Sequence, residues 1–223
     1  MSIVIPIDGP TSSGKSSVGF LFSKSIGFHY VDSGAIFRAA TIQALKEKVP
    51  LDDEDKLAEV LAKADIEFKE VDSHIHTFLN GEDISGILHN PEVTKAVPII
   101  SMYKKVRTES TKLQRSIASK QNTVMCGRDI GTEIFPDAKL KFYLTADIQI
   151  RAQRRQAQLR EKDPNISYEQ VLEEMIDRDK KDMIRKVSPL RIAEGAIIIE
   201  NTIATSKESV EKMLSCYKEI YSE

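Results

Sequence analysis

The sequence predicts an α/β fold, a parallel sheet with helices on both sides, and three observations predict it. Short, continuously apolar runs recur along the 223 residues: Ile3-Val4-Ile5-Pro6-Ile7, His29-Tyr30-Val31, Thr123-Val124-Met125-Cys126, Leu140 to Leu144, and Ala196-Ile197-Ile198-Ile199. Unbroken rather than alternating apolarity is what strands buried on both faces require. Helical spacing of apolar positions fills most of the intervals, as in successive β-α-β units. Polar clusters then follow three of the strands directly: a glycine-rich loop from Gly9, Asp32-Ser33-Gly34, and Gly127-Arg128-Asp129. The carboxyl ends of parallel strands are where ligands collect, so these clusters are expected to converge on one cleft.

Taken in order, Met1 to Ile7 is too short for a signal peptide and reads as the first strand. Gly9-Pro10-Thr11-Ser12-Ser13-Gly14-Lys15-Ser16 then satisfies the pattern G-x-x-x-x-G-K-[ST], with Ser17 next in the candidate set. Val18-Gly19-Phe20-Leu21-Phe22 and Ile26 continue at helical spacing, so the loop lies between a strand and a helix start. Glycines let such a loop curl its N–H groups inward onto phosphate oxygens, and the helix N-terminus adds its positive end. Lys15 adds a mobile charge, and the Ser16 hydroxyl is suited to a magnesium shell. The loop therefore implies binding of a nucleoside triphosphate.

After the second strand, Ser33 opens a helix on which Arg38 reaches toward the same cleft. From Ala64 to Ile100 the rhythm breaks. Ile66-Glu67-Phe68-Lys69 and Ile75-His76-Thr77-Phe78-Leu79 read as strands, with Asn80-Gly81 as a tight turn, a small antiparallel insert. His74 and His76 share a strand face there and read as exposed histidines rather than a metal pair. Residues 147–185 are helical and dense in charge, interrupted by Asp163-Pro164-Asn165, with Ser167 as the predicted cap of the following helix. Cys216 falls on the C-terminal helix as a small packing residue.

Composition narrows the classes. The 32 basic and 34 acidic side chains nearly balance, which argues against a bulk nucleic-acid binder. Two widely separated cysteines, Cys126 and Cys216, suggest reduced thiols and a cytoplasmic setting. No apolar stretch approaches the ~20 residues that span a bilayer.

The charged clusters point to an anionic ligand. Arg151, Arg154 and Arg155 share a helix face, where like charges repel by roughly 0.2–0.5 kcal/mol per pair; a triphosphate would offset that, and a solvated basic face is the alternative. Arg178, Asp182 and Arg185 also share a face, as ligand contacts or as intrahelical ion pairs. Arg107 lies in Lys104-Lys105-Val106-Arg107, which alone reads as surface. Arg128-Asp129 follows a buried strand, where polar groups form sites.

The chain as a whole resembles the bacterial-type cytidylate kinases among the nucleoside monophosphate kinases. The resemblance is carried by Ile7-Asp8-Gly9-Pro10 leading into the loop, Val31-Asp32-Ser33-Gly34-Ala35-Ile36-Phe37-Arg38, and Leu79-Asn80-Gly81-Glu82-Asp83-Ile84-Ser85. Gly127-Arg128-Asp129-Ile130-Gly131-Thr132, Phe135-Pro136-Asp137-Ala138, and Arg178-Asp179 through Ser188-Pro189-Leu190 complete it.

The resemblance implies a single P-loop kinase domain with a five-stranded parallel sheet flanked by helices. Its core would be 1–63, 101–146 and 186–223, with a monophosphate-binding insert at 64–100 and a helical lid at 147–185. It implies ATP and magnesium, with CMP or dCMP as acceptor, no nucleic-acid or membrane partner, and a monomer. By similarity Arg38, Arg128 and Arg185 hold the acceptor phosphate, Arg107 and Asp129 read the cytosine, Arg178 and Asp182 face the ribose, and Ser33 lines the pocket. Arg151 and Arg155 would grip the transferring group beside Lys15.

Three positions depart from the family's pattern. Pro98 stands where a serine usually contacts the base, Cys126 where an acidic residue associated with magnesium waters usually precedes Gly-Arg-Asp, and His89 where an arginine is frequent. Competing expectations are a kinase for UMP, AMP or shikimate, a non-catalytic ATP-binding module, and a nucleic-acid processing protein; the hairpin insert, the retained arginines and the neutral charge speak against them in turn.

Overall fold

The computed structural model describes residues 2–161 and 163–221; Met1, at the start of the predicted first strand, lies outside them. In chain order the strands are β1 (Val4–Asp8), β2 (His29–Asp32), β3 (Ile66–Val71), β4 (His74–Leu79), β5 (Glu82–Asp83), β6 (Thr123–Gly127), β7 (Phe142–Thr145) and β8 (Ile197–Glu200). The helices are α1 (Lys15–Ile26), α2 (Ser33–Lys46), α3 (Glu54–Lys63), α4 (Pro91–Ile100), α5 (Lys104–Lys120), α6 (Ile148–Arg160), α7 (Tyr168–Ile184) and α8 (Ser206–Tyr221). The predicted α/β class is the observed one: a five-stranded sheet in the order β2-β6-β1-β7-β8, and a separate three-stranded sheet in the order β3-β4-β5.

By its internal contacts the chain forms two compact units. One comprises Ile3–His29 and the residues from Thr123 onward. Here β1 runs parallel to β6 from Val4↔Thr123 to Asp8↔Gly127, and to β7 from Ile7↔Phe142. β7 in turn pairs with β8 from Phe142↔Ile197 to Thr145↔Glu200. Ile5, Ile7, Val124, Met125 and Leu144 are fully buried, the two-sided burial that their continuous apolarity requires. β7 starts two residues after the predicted run, because the run records burial, and Leu140 is buried without being paired.

α1 packs on β6 and α8, where Phe22 meets Phe142 and Tyr217 edge-on. α6 and α7 form a hairpin with its own apolar centre of Ala152, Val171 and Met175. Both of its helices begin on a side-chain cap. The Asp147 carboxylate accepts from Gln149 and Ile150, and the predicted Ser167 cap forms a reciprocal capping box with Gln170.

The other unit comprises Tyr30–Asn122 together with residue 2. α2 is capped by Asp32, whose carboxylate accepts from the Gly34 amide at 2.8 Å, and packs against α3, α4 and α5. The predicted antiparallel insert strands are β3 and β4, in register from Ile66↔Leu79 to Val71↔His74. Asn80 (φ 51°) and Gly81 (φ 82°) form the two-residue turn into β5, both left-handed as a hairpin turn of this length demands. His74 bonds the Asp72 carbonyl and His76 the Asp83 carboxylate, so each histidine is engaged separately, as expected of surface strand residues. Among the described residues no helix is long and apolar enough to cross a membrane.

Candidate active site

The glycine-rich loop joins β1 to α1 as predicted. Its shape is set by three left-handed residues, Gly9 (φ 151°), Ser12 (φ 57°) and Gly14 (φ 98°). A Cβ on Gly9 would lie 2.1 Å from the Leu144 carbonyl oxygen, so only glycine lets the loop cross β7 this closely. α1 then starts from Gly14 with no side-chain cap and no acidic residue in its first turn. That is an N-terminus suited to an anion: uncapped amides carry the positive end of the helix dipole. Lys15 is buried, and its ammonium donates to the Pro10 carbonyl at 2.6 Å. Ser16 and Ser17, one residue further along, are exposed.

Arginines attach to this loop from two other elements. Arg128, just after β6, donates to the Thr11 hydroxyl at 2.8 Å and to the Asp182 carboxylate of α7 at 3.1 Å. Arg151 of α6 donates to the Thr11 carbonyl at 3.1 Å, to the Ala146 carbonyl at 2.9 Å, and to Asp179 at 2.5 Å. Arg185 stands 3.6 Å from both Asp129 and Asp182 and donates to the Ser188 carbonyl. Burial first, then Arg128 and Arg155, holds Arg178 below the usual guanidinium range, while Asp182 opposes the shift. Burial alone lowers Arg155. Burying charged guanidinium groups in this way is tolerable where an anion will join them.

One prediction about this cluster needs correcting. Arg185 is not on the α7 face with Arg178 and Asp182, because the helix ends at Ile184 and Arg185 takes an extended conformation (ψ 141°). The Arg128–Asp182 and Arg185–Asp129 pairs therefore tie α7 and the residue that ends it to the segment after β6, while Arg185–Asp182 is a local pair.

The remaining predicted residues divide between the units. Asp129, Arg155, Arg178, Asp182 and Arg185 belong to the unit of the phosphate loop, while Ser33, Arg38 and Arg107 belong to the other. There Ser33 is buried at the start of α2. Arg38 donates to the Leu88 carbonyl at 3.1 Å and the Thr94 hydroxyl at 3.4 Å. Arg107 is not a surface residue: it is buried, lies over the Phe37 ring and donates to the Ser101 carbonyl at 2.7 Å. Pro98 is exposed within α4, and His89 is exposed just before it.

Cys126 is buried on β6, and its thiol reaches the Lys15 carbonyl at 3.4 Å, directly behind the loop. Arg154 differs from both readings that its spacing allows: it is half-buried and donates to the Asn201 and Thr202 carbonyls.

Sequence reasoning passed over three carboxylate and amide groups. Asp8, at the end of β1, is 2% exposed and accepts from the amides of Ile130 (2.9 Å) and Gly131 (2.7 Å). Those amides open a single wide turn, Ile130–Ile134, closed by an i→i+5 bond from Phe135 to Ile130. Asp8 thus holds the segment that carries Arg128 and Asp129. Burial raises its carboxyl from 3.8 to about 6 despite the two amides. Asp179 partners Arg151, and Asn201 bonds the loop itself. Asp8 and Asp179 were visible within stretches that carry the family resemblance, with no role attached to them; Asn201 carried no motif.

A five-stranded parallel sheet bearing a glycine loop, an uncapped helix and clustered arginines defines a phosphate-loop nucleotide-binding protein. The fold matches the shikimate kinase from Acinetobacter baumannii in complex with shikimate, with a TM-score of 0.50 and 16% identity, covering 100% of this chain and 97% of that one. The family model for cytidylate kinase matches residues 5–219. A protein named cytidylate kinase from Caldanaerobacter subterraneus subsp. tengcongensis is 44% identical over 96% of this chain and 93% of its own length. Another of that name from Bacillus cereus is 38% identical over 99% of this chain and 98% of its own. The chain belongs to the cytidylate kinase family.

Proposed function

We propose that this chain transfers the γ-phosphoryl group of ATP to CMP or dCMP, giving ADP and CDP or dCDP, in cytoplasmic pyrimidine nucleotide metabolism. The observation that carries the reading beyond family membership is the attachment of Arg128 and Arg151 to Thr11 of the phosphate loop. Guanidinium groups bound to that loop support the reading, since a triphosphate there needs its charge neutralised.

The acceptor is a phosphate oxygen that is already anionic, so the transfer requires no general base. The barrier is the approach of two anions, and positioning with charge neutralisation lowers it. Lys15 and residues Gly9 to Ser17 take the ATP phosphates, and Arg151 and Arg155 the transferring group. Arg38, Arg128 and Arg185 take the acceptor phosphate, their planar forks being suited to bidentate contacts. Ser33 lines the pocket, and Arg178 and Asp182 face the ribose. Arg107 and Asp129 read the cytosine, with the Asp129 carboxylate accepting from the amino group that uracil lacks.

Within this reading 64–100 is the insert that closes on the monophosphate and 147–185 the lid, the latter supported by the separate apolar centre of its helix hairpin. Water is thereby kept from the phosphoryl group. We assign the chain as a monomer acting on small molecules.

Magnesium would be held by Ser16 together with ATP and water. The residues fit that mode, because the Ser16 hydroxyl follows Lys15 in the first turn of α1. A cation held by one hydroxyl, phosphate oxygens and water suits such a site. When bound it would neutralise charge on the phosphates.

Asp129→Asn tests the base assignment. The kcat/KM ratio of CMP over UMP should fall by about tenfold or more, since the variant no longer presents a charged acceptor to the amino group. Unchanged selectivity would overturn the assignment.

A further inference from the structure

We propose that Asn201, backed by Ser209 and Arg154, is a positioning residue that holds the phosphate loop in its ATP-binding shape. The inference rests on the ATP reading above. Asn201 directly follows β8 and is 3% exposed. Its backbone amide donates to the Thr145 carbonyl at 2.8 Å and so adds a further bond beyond the β7–β8 pairing. Its carboxamide nitrogen donates to the Ser13 carbonyl at 2.7 Å, and its carboxamide oxygen accepts from the Ser209 hydroxyl at 3.0 Å. The orientation of the amide is determined, because a carbonyl can only accept and must face the nitrogen.

The bond to Ser13 has a consequence one atom further on. Across a trans peptide the C=O and the next N–H point in opposite directions. Drawing the Ser13 carbonyl toward Asn201 therefore turns the Gly14 N–H away from it, the orientation that a phosphate needs. Gly14 is glycine for two reasons here: its φ of 98°, and the 2.4 Å that would separate a Cβ from the Asn201 side-chain nitrogen. Of the two loop residues that the motif fixes as glycine, Gly14 is the one lying against Asn201.

Arg154 secures the other side of the residue, donating to the Asn201 carbonyl at 2.7 Å and the Thr202 carbonyl at 3.2 Å. One helix, α6, thus reaches the loop twice. Arg151 bonds it at Thr11 directly, and Arg154 bonds it at Ser13 through Asn201. Arg154 acts on the loop's frame rather than on phosphate.

The test uses the full chain with Asn201→Asp, Asn201→Ala and Ser209→Ala, measuring ATP affinity by calorimetry, KM for ATP and for CMP, and the thermal midpoint. Asn201→Asp keeps the size but sets an oxygen against the Ser13 carbonyl. ATP should bind about 5- to 10-fold more weakly in both Asn201 variants and about 2-fold more weakly in Ser209→Ala, the scale of one lost hydrogen bond. The KM for CMP should stay within about 2-fold, since no acceptor contact is touched. Unchanged ATP affinity with a lowered thermal midpoint, or an equal rise in both KM values, would overturn the inference and leave Asn201 a packing residue. If Asn201→Asp does not fold, Ser209→Ala decides the matter by the same comparison. Absence of phosphoryl transfer in the unaltered chain would instead remove the function reading, whatever Asn201 does to ATP binding.

Discussion

Asp8 shows what a buried carboxylate costs and what it obtains. Two amides satisfy its oxygens, yet burial still raises its carboxyl from 3.8 to about 6, with Asp129 adding to the rise and Lys15 opposing it. The native state therefore binds its proton more tightly than the unfolded chain. Between about pH 4 and pH 6 the folded protein holds more protons, so this group's contribution to stability falls as pH rises and is constant above. Relative to Asp8→Asn, which does not titrate, the unaltered chain should lose on the order of 1–3 kcal/mol over that window. Urea midpoints measured for both at pH 4, 5, 6 and 7 check the sign; a relative gain with rising pH would contradict it. A penalty of this kind is tolerable because the two amides that Asp8 fixes belong to the segment presenting Arg128 and Asp129.

Other residues show how far local pattern reaches. Gly9, Gly14 and Lys15 were legible because the motif encodes backbone geometry and charge together. Arg107 was not, since a Lys-Lys-Val-Arg run looks solvated until Phe37 and the Ser101 carbonyl are placed beside it. Arg154 illustrates the same limit, its carbonyl partners lying 47 and 48 residues away.

At the scale of elements, the ion pair that joins α6 to α7 matters and an exposed pair within α7 does not. Arg151 and Asp179 are 8% and 13% exposed, so removing the acid strands a guanidinium in the interior. Asp179→Ala should cost about 3–5 kcal/mol. Asp177→Ala, which breaks the exposed pair with Lys181 on the same helix, should change stability by less than about 1 kcal/mol. Chemical denaturation of both variants makes the comparison; equal effects would mean that the Arg151 pair is solvated.

The element boundaries that sequence missed have simple causes. Apolar runs report burial, so Leu140 extended a strand that pairing begins only at Phe142. Periodicity carried α7 one residue too far, to Arg185, because nothing in Met183-Ile184-Arg185 marks a helix end. The Asn80-Gly81 turn, by contrast, was legible because so few residue pairs tolerate two left-handed positions. The wide turn at Ile130–Ile134 had no periodic signal to read; the carboxylate of Asp8 holds it, 122 residues away at Ile130.

Across the whole molecule, a near-zero net charge conceals strong local asymmetry. The 32 basic and 34 acidic side chains balance, yet Lys15, Arg128, Arg151, Arg155, Arg178 and Arg185 gather in the phosphate-loop unit. Composition argued against bulk nucleic-acid binding but carried no trace of this cluster; the ordered motifs did. The residues proposed for the acceptor come from both units, and the proposed reaction is what tests them together. ADP formation from magnesium-ATP should be measured with CMP, dCMP, UMP, AMP and no acceptor, alongside Lys15→Ala. The account predicts turnover largely confined to CMP and dCMP, reduced about 10²–10³-fold by Lys15→Ala. Comparable turnover of UMP, or none with any acceptor despite ATP binding, would contradict it.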